Sequence, residues 1–471
     1  MAAYGAAVLT SAKARGAAES RAFHFEIILI SASKTCYKAS SRPPIRPGFF
    51  FYAQGSSLMT VDAIAPTAFN WRRFLAVAGP GIVVMLADTD AGSVITAAQS
   101  GAQWGYSLLL LQIVLIPILY IVQELTVRLG AVTGKGHAAL IKQHFGLGWA
   151  WLSVATLIVT CLGALLTEFA GLAGVGNLLG VPAPVTLALV VAAMLAMALM
   201  HGYATVERIA IAVGAFELVF LLVAMLAHPG LAEMASGAVT IPATDPKYLL
   251  LVSANIGAVI MPWMVFFQQS SIVEKGITTR DLSSARMDTA VGAVATQVIM
   301  AAVLIATAAT LGKAGGDHAL DTIEEIVGAI TPFLGNFTGK LLFCLGMVGA
   351  STVAAIVVTL TAARTLAEVL GARHKLEDEP REAPWFYGFY AVALIVCAVV
   401  VGSGVNLISL SVGVQVMNAL LLPIVLGFLF LLARRLPGPY RLQGGYAIAC
   451  GAIILVTVVF GVYSGVAGLW G

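Results

Sequence analysis

Charged residues are scarce in this chain. Asp, Glu, Lys and Arg make up 10% of its 471 residues, against about 25% in a typical soluble domain. So few charges cannot cover a water-facing surface, which argues against an ordinary soluble enzyme, and 59% hydrophobic residues argue against a disordered chain. The five cysteines show no CxxC or ligand-like spacing, so we expect small buried hydrophobic residues there. The basic residues form no patch that would bind nucleic acid.

Long apolar runs occupy most of the remaining sequence. Runs of roughly 20 residues, the length that crosses a bilayer, recur from residue 74 onward. We predict an all-α polytopic membrane protein with eleven spans. The predicted spans are 74–100, 106–130, 150–178, 184–202, 207–228, 248–273, 288–311, 340–368, 385–403, 405–433 and 445–468.

The distribution of Lys and Arg predicts the orientation of these spans. With the N-terminus in the cytoplasm, 23 of the 26 Lys and Arg residues fall on the inner side. Only Lys247, Lys313 and Lys340 fall outside. Inner segments of membrane proteins carry this excess of positive charge. We therefore expect a multi-pass protein of the bacterial inner (plasma) membrane, with its N-terminus in the cytoplasm and its C-terminus outside.

The N-terminal segment differs from the rest of the chain. The first 73 residues hold nine of the Lys and Arg residues, and the apolar stretch 23–30 is too short to span a membrane. We interpret 1–70 as a basic, disordered cytoplasmic tail. The alternative is that translation starts near Met59 and that residues 1–58 are not part of the protein. The core then runs over 71–440, with five-span blocks at about 74–228 and 248–433, and 441–471 holds the eleventh helix.

A polar interruption lies in the middle of span one. Asp88, Thr89, Asp90 and Ser93 follow one another closely there, and ionisable residues inside a span are costly unless they have a function. Local unwinding would free backbone carbonyls, which could bind a cation together with a carboxylate. The alternative is a helix end at a short outer loop, which would leave two segments too short to span.

Span six carries a matching interruption at Pro262, next to Trp263. Proline removes one backbone donor and frees the carbonyl four residues back, which is that of Ala258. A simple proline kink is the alternative. Spans one and six each begin a five-span block, and breaks at corresponding positions of two blocks indicate a transport site between inverted repeats.

Other polar residues within spans are open to two interpretations. Glu168 and Glu217 are lone carboxylates that could be structural hydrogen-bond partners or functional groups. Gln415 and Asn418 lie three residues apart on one helix face, where they could join helices or reach a ligand.

The arrangement of these residues resembles the natural resistance-associated macrophage protein (NRAMP) family of divalent metal transporters. The resemblance runs in order over roughly 75–435. It is carried by Gly79-Pro80, Asp90-Ala91-Gly92-Ser93, Gly105-Tyr106, the segment from Arg128 to Lys135, Glu168 with Asn177, Met261-Pro262, Arg286-Met287-Asp288-Thr289, and Gln415 with Pro423. It implies a LeuT-like fold of two inverted five-helix repeats, here followed by an eleventh helix.

The resemblance also implies a metal site. Its members would be Asp90, Ser93, the carbonyl of Ala258 and Met261, with Gln415 joining in an occluded or inward state. Additional residues of the site or pathway would be Asp88, Thr89, Glu168, Trp263, Gln268 and Asn418. The metal would be the transported substrate, so no cofactor and no enzymatic activity are expected, and the partners would be Mg²⁺, Mn²⁺ or Fe²⁺ and the lipid bilayer. We expect a monomer.

Several positions depart from the family pattern. Ser93 replaces an amide, and Asp88 adds a carboxylate, which would suit hydrated Mg²⁺, whereas the thioether of Met261 favours transition metals. Positions linked to proton movement hold residues that do not titrate: Trp263, Gln268, Leu165 and Gln99. The pattern looks like the divergent NRAMP-related magnesium transporters. We therefore expect import of Mg²⁺ and/or Mn²⁺ by alternating access, with doubtful proton coupling.

Three alternatives remain open. The first is a proton-coupled Mn²⁺/Fe²⁺ symporter. The second is a transporter of the same fold for an organic solute such as an amino acid, although Asp88 and Asp90 would repel a carboxylate. The third is a membrane enzyme or receptor, for which the sequence offers no HExxH motif, no phosphate-binding glycine loop and no nucleophile with its base.

Overall fold

The computed structural model describes residues 79–199, 208, 211–311, 319–320, 322–330, 335–373 and 378–470. The tail predicted over 1–70 and the alternative start near Met59 lie outside these residues. All described residues belong to one structural unit, Ala68–Gly471. Its regular elements, within the described ranges, are all helical, as expected of a chain that must satisfy its backbone hydrogen bonds within a bilayer.

The first eight helices of the described ranges lie between residues 80 and 238. In chain order they are α1 Pro80–Asp88, α2 Ala91–Trp104, α3 Leu109–Thr133, α4 His137–Phe145, α5 Leu147–Leu178, α6 Ala183–Ala198, α7 Ile211–Leu226 and α8 Leu231–Ala238. Helix α7 includes a 3₁₀ turn at Ala215–Leu218.

The remaining eight helices form the second block and the last span. They are α9 Pro246–Val259, α10 Pro262–Glu274, α11 Leu282–Thr310, α12 Ile323–Ile330, α13 Asn336–Leu370, α14 Pro384–Gly402, α15 Leu407–Ala433 and α16 Gly444–Trp470.

The predicted spans coincide with these helices. Within the described ranges, eight helices are long and apolar enough to cross a membrane, and two bent pairs could add one span each. The pair α1–α2 bends by 49° and α7–α8 by 107°. Helix α6, the predicted span four, is apolar but shorter. A first block of five spans, an odd number, would place the start of the second block on the opposite side, so that the two blocks run inverted.

The broken span of the second block lies at the centre of the molecule. In its most apolar stretch, 94% of the residues of α9 and α10 are buried inside the protein, against 22% in the last span. Since a lipid-facing helix needs apolar side chains while an enclosed helix can hold polar ones, this centre is where a polar site fits. Both breaks lie in it.

The start of α1 is held by a residue of α11. The backbone N–H of Gly81 donates to Asp288 Oδ2 at 2.7 Å, and the N–H of Gly79 lies 3.4 Å from the same carboxylate. The first turn of a helix has N–H groups without helical partners and carries positive partial charge. Asp288 therefore caps α1 from another helix and positions the segment that leads to the first break.

Candidate functional site

The first break lies between α1 and α2, at Thr89 and Asp90. Aspartate is a favoured N-cap residue, and Asp90 Oδ1 accepts a 2.6 Å hydrogen bond from the Ser93 N–H at the start of α2. Its other oxygen, Oδ2, has no partner at hydrogen-bond distance among the described residues, and the residue is fully buried. One oxygen of Asp90 thus fixes the local fold, and the other is available to a ligand.

The second break lies between α9 and α10. Pro262 begins α10 and cannot donate to the carbonyl of Ala258. That carbonyl instead accepts a 3.1 Å hydrogen bond from Ser93 Oγ, which joins the two breaks. Met261 is the N-cap residue of α10, and its Sδ accepts a hydrogen bond from Trp263 Nε1 at 3.1 Å. Trp263 therefore orients the thioether.

Helix α15 brings Gln415 to the same place. A Cβ on Gly257 would collide with the backbone of Gln415, so α9 and α15 touch at the second break. Gln415 Oε1 accepts from Asn418 Nδ2 at 2.9 Å, whereas its Nε2 has no partner. The side chain of Gln415 lies beside Asp90. Asn418 thus orients Gln415.

Glu168 of α5 lies at the N-terminus of α2. Its Oε2 accepts a 3.1 Å hydrogen bond from the Ala91 N–H, and its Oε1 accepts from Thr167 Oγ1 at 3.2 Å. Asp90 is a neighbour of this carboxylate. The positive end of the α2 dipole stabilises both carboxylates where they meet. The sequence had left open whether Glu168 is structural or functional; its position makes it a neighbour of the candidate ligands.

Asp88 and Thr89 face helix α11. The hydroxyls of Thr89 and Thr296 are 2.7 Å apart, and Thr296 Oγ1 lies 3.4 Å from Asp88 Oδ2. Asp88 Oδ1 has no partner within the described part of the chain. Asp88 therefore lies at the same break as Asp90 but contacts a different helix.

The predicted site and pathway residues did not include Thr296 or Glu217, and the sequence had left open whether Glu217 is structural or functional. Glu217 of α7 is fully buried and interacts with Thr89, Asp88 and Asp90. The only signal for Glu217 in the sequence was that it is a lone carboxylate within a span. Thr296 gave none, because a threonine in an apolar helix commonly bonds to its own backbone.

Three other predicted positions lie apart from the ligand set. Gln268 Nε2 donates to Thr289 Oγ1 at 3.0 Å, so this side chain joins α10 to α11. Leu165 is buried among hydrophobic residues. Gln99 Oε1 accepts from the Leu320 N–H at 2.9 Å and lines a cavity of about 550 Å³ at the ends of α2, α9 and α15. That cavity lies at the C-terminal end of α2, and the breaks lie at the other end of this helix.

Four carboxylates therefore surround the first break: Asp88, Asp90, Glu168 and Glu217. Each is at most 1% exposed, and none has a salt-bridge partner among the described residues. Burying an isolated charge costs several kcal/mol, so these carboxylates are neutralised either by protonation or by a bound cation. No three His, Cys, Asp or Glu side chains of the described ranges could hold one ion together. Hydroxyl, carbonyl, amide or thioether groups must therefore complete any ligand set.

Known proteins share the sequence pattern of this chain. The sequence profile of the natural resistance-associated macrophage protein-like (Nramp) family matches residues 81–467. The divalent metal cation transporter MntH of Latilactobacillus sakei is 30% identical over 234 residues, which are 47% of this chain and 50% of that protein. In that match the chain spans half the length of its relative. MntH of Granulibacter bethesdensis is 25% identical over 420 residues, which are 85% of this chain and 91% of that protein.

Solved structures share the fold. A manganese transporter of Eremococcus coleocola, in complex with an aromatic bis-isothiourea substituted compound, superposes with a TM-score of 0.69 at 18% identity, covering 86% of this chain and 90% of that one. Mhp1, a nucleobase-cation-symport-1 family transporter, gives a TM-score of 0.51 at 14% identity, covering 83% and 90%. The LeuT-like architecture of inverted five-helix repeats is thereby confirmed. Since the family profile covers most of its length, the chain belongs to the natural resistance-associated macrophage protein (Nramp) family.

Proposed function

We propose that this protein transports divalent metal cations across the membrane by alternating access. The observation that carries the proposal is the unpartnered Oδ2 of Asp90, buried where two broken helices meet. Two transporters of similar sequence are named divalent metal cation transporters, which supports the same substrate class. A lone carboxylate in a membrane centre is expensive without a cation.

Each residue of the site has a distinct proposed role. Asp90 neutralises the ion, Ser93 Oγ and the Ala258 carbonyl supply oxygens, and Met261 supplies a thioether. Because Ser93 and Ala258 are hydrogen-bonded to each other at 3.1 Å, cation binding would replace this bond with two bonds to metal. Gln415 would join through its side-chain oxygen Oε1 once the breaks move closer, and this is the atom that now accepts from Asn418 Nδ2.

The donor set leaves two candidate substrates, Mn²⁺ and Mg²⁺. The thioether favours Mn²⁺, and a solved relative in fold is named a manganese transporter. The hydroxyl of Ser93 and the added carboxylate of Asp88 favour Mg²⁺, which prefers oxygen ligands and retains water. We propose Mn²⁺ transport with Mg²⁺ as a second substrate, and Fe²⁺ as the further ion to compare.

The orientation belongs to the same proposal. The cavity of about 550 Å³ includes Lys247, which the charge distribution predicts on the outer side. The ion pairs Glu124–Arg286 and Glu274–Arg364, at 2.6 and 2.8 Å, lie on the predicted inner side. We propose a protein of a bacterial plasma membrane with a cytoplasmic N-terminus, which binds the cation from outside while the inner end is closed and works as a monomer.

Proton coupling is proposed to be weak. Trp263 and Gln268 are engaged with Met261 and Thr289 respectively and do not titrate. Leu165, three residues before Glu168, offers no titratable group either. Asp90 and Glu168 are the groups through which a proton could still move with the metal.

Uptake into proteoliposomes tests the proposal. The full chain is reconstituted, and entry of Mn²⁺ and Mg²⁺ is followed with an internal dye while internal pH is recorded. We expect saturable Mn²⁺ uptake that Asp90→Asn lowers at least 100-fold, while the exposed control Glu379→Gln leaves it unchanged. Unchanged uptake in Asp90→Asn would remove the site from the transport path.

The same assay separates the alternatives. Acidification in step with Mn²⁺ entry would replace weak coupling with proton symport. Calorimetric titration with amino acids covers the organic-solute alternative, for which we expect no heat of binding. Binding of an amino acid in the absence of any metal effect would overturn the metal proposal.

A further inference from the structure

A second group of oxygen atoms lies at the first break. It consists of Asp88 at the end of α1, Thr89 in the break, Glu217 in α7 and Thr296 in α11. The Thr89 and Thr296 hydroxyls are 2.7 Å apart, and Thr296 Oγ1 is 3.4 Å from Asp88 Oδ2. Glu217 interacts with both Thr89 and Asp88. Two carboxylates and two hydroxyls from three segments of the chain therefore converge.

The carboxylates of this group are buried and lack a positively charged partner among the described residues. Within the same residues, Oδ1 of Asp88 and both carboxylate oxygens of Glu217 have no partner at hydrogen-bond distance, although the Thr89 hydroxyl lies beside Glu217. Glu217 is fully buried and Asp88 is 1% exposed. No Lys, Arg or His of the described segments forms a salt bridge with either one. Two buried carboxylates without a counter-charge are costly when ionised, and a cation bound between them would stabilise both.

Helix dipoles distinguish this group from the Asp90 site. Asp90 and Glu168 lie at the N-terminus of α2, where N–H groups and the positive dipole end stabilise negative charge. Asp88 is the last residue of α1, where the carbonyls of the final turn and the negative dipole end repel a carboxylate. An ionised Asp88 at the end of α1 would therefore be stabilised by a bound cation.

We propose that Asp88, Glu217, Thr89 and Thr296 form a second cation subsite, which takes a hard divalent cation of the Mg²⁺ class. All its donors are oxygens, as Mg²⁺ prefers, whereas the Asp90 subsite includes the thioether of Met261. The donors that favour Mg²⁺ and the donor that favours Mn²⁺ would thus belong to two neighbouring subsites. The proposal rests on the proposed function only in placing a transported cation at Asp90.

Charge balance supports two cations. The four carboxylates around the break carry four negative charges when ionised, and two divalent cations neutralise them. Asp88, Asp90 and Glu217 do not form one group that could hold a single ion together. One ion at Asp90 would leave Asp88 and Glu217 without a counter-charge.

Equilibrium dialysis of the purified wild-type chain provides the first test. We expect two Mn²⁺ ions per chain at saturation, one bound tightly at the thioether subsite and one more weakly. Excess Mg²⁺ should displace the weak equivalent and leave the tight one. A single Mn²⁺ equivalent that Mg²⁺ displaces completely, or does not affect, would overturn the second subsite.

Variants test which subsite binds each of the two metal equivalents. Glu217→Gln keeps the shape of the side chain, and we expect it to weaken Mg²⁺ binding at least tenfold while tight Mn²⁺ binding changes less than threefold. Met261→Leu should do the reverse. Glu324→Gln is the control, because it removes an exposed carboxylate that belongs to neither subsite. It should change neither Mg²⁺ binding nor tight Mn²⁺ binding.

The results distinguish failure of this proposal from failure of the proposed function. One tight Mn²⁺ equivalent, with Mg²⁺ binding unaffected by Glu217→Gln, rejects the second subsite and leaves transport through Asp90 standing. Mg²⁺ binding that depends on Glu217, without tight Mn²⁺ binding, rejects the Asp90 subsite and supports this one. If neither ion binds the wild-type chain, both proposals fail.

Discussion

Single residues at the breaks fall into ligands and residues that hold ligands. Trp263 bonds the sulfur of Met261, and Asn418 bonds the carbonyl of Gln415. The predicted set placed Met261 and Gln415 in the metal site and Trp263 and Asn418 among the additional site or pathway residues. The hydrogen bonds give the latter two a role, because a side chain whose donor is already used by a neighbouring ligand orients that ligand. Whether the remaining groups bind a metal stays a prediction.

His137 shows how burial acts on a residue outside the spans. It begins α4, is 1% exposed, and its Nδ1 lies 2.9 Å from Gln269 Oε1. Burial lowers the pKa of His137 to about 4, and the hydrogen bond to Gln269 opposes this only in part. The unfolded chain would titrate near 6.5. His137 is therefore neutral in the folded protein at physiological pH.

We predict that His137 makes the protein less stable in acid. Between about pH 6.5 and 4 the unfolded state binds more protons than the folded state, so stability is full above this window and is lost as pH falls through it. The shift corresponds to about 3 kcal/mol at the acid end of the window. In His137→Gln, the apparent melting temperature in detergent should fall less between pH 7 and 4.5 than in the wild type.

A matched control comes from the same helix. His144 is exposed at the end of α4, so His144→Gln should retain the wild-type pH dependence. If His137→Gln and the wild type lose melting temperature equally, then acid stability depends on other groups.

At the level of elements, the two breaks are positioned by close packing and by capping from distant helices. Gly257 allows α9 to touch α15, and Gly81 allows the start of α1 to approach Asp288 of α11. A Cβ on Gly81 would lie 2.6 Å from Asp288 Oδ2. The cap of α1 therefore requires a residue without a side chain at this position.

We predict that Gly81→Ala destabilises the protein although alanine favours helices. The added methyl group would push Asp288 away from the first turn of α1, and loss of a cap costs about 1 kcal/mol or more. The melting temperature in detergent should fall, and Mn²⁺ uptake should fall with it, because α1 leads directly to the first break.

Gly388→Ala is the matched control. Gly388 lies within α14, and nothing lies within 4 Å of the position that its Cβ would occupy. Alanine there should leave the melting temperature unchanged or raise it, by the helix preference of up to about 1 kcal/mol. Equal effects of both substitutions would show that the contact with Asp288 does not matter.

At the scale of the whole molecule, one ion-pair network joins the two repeats. Glu124 of α3 bonds Arg128 on its own helix at 2.8 Å and Arg286 of α11 at 2.6 Å. Arg286 is partly exposed, while Glu124 and Arg128 are buried. The exposed arginine can therefore be removed without leaving Glu124 unpaired.

We predict that Arg286→Gln favours a state that is open at this end of the molecule. The substitution removes the link between α3 and α11 and keeps the pair within α3. In a variant without its native cysteines, a cysteine in place of buried Thr289 should react with a thiol reagent several-fold faster. Arg381→Gln, which removes an exposed arginine, should leave the rate unchanged. A rate equal to or below that of the parent would show that this ion pair does not hold the end closed.

The sequence by itself determined the membrane class, the spans and the location of both breaks. These are local properties: a run of apolar residues, an Asp at an N-cap, and a proline that cannot donate to the carbonyl of Ala258. Similarity to the family added the organisation into two repeats, because the polar residues follow one another along the chain in the same order as in that family.

The tertiary structure alone decided which distant residues meet. Glu168 contacts the start of α2 although 77 positions separate it from Ala91. Asp288 caps α1 at Gly81, 207 positions away, and Thr296 faces Asp88, 208 positions away. Helix periodicity gives the face on which a residue lies, but not which helix packs against that face. The packing of α1, α7 and α11 brought Glu217 and Asp88 together, two carboxylates that the sequence presents as unrelated.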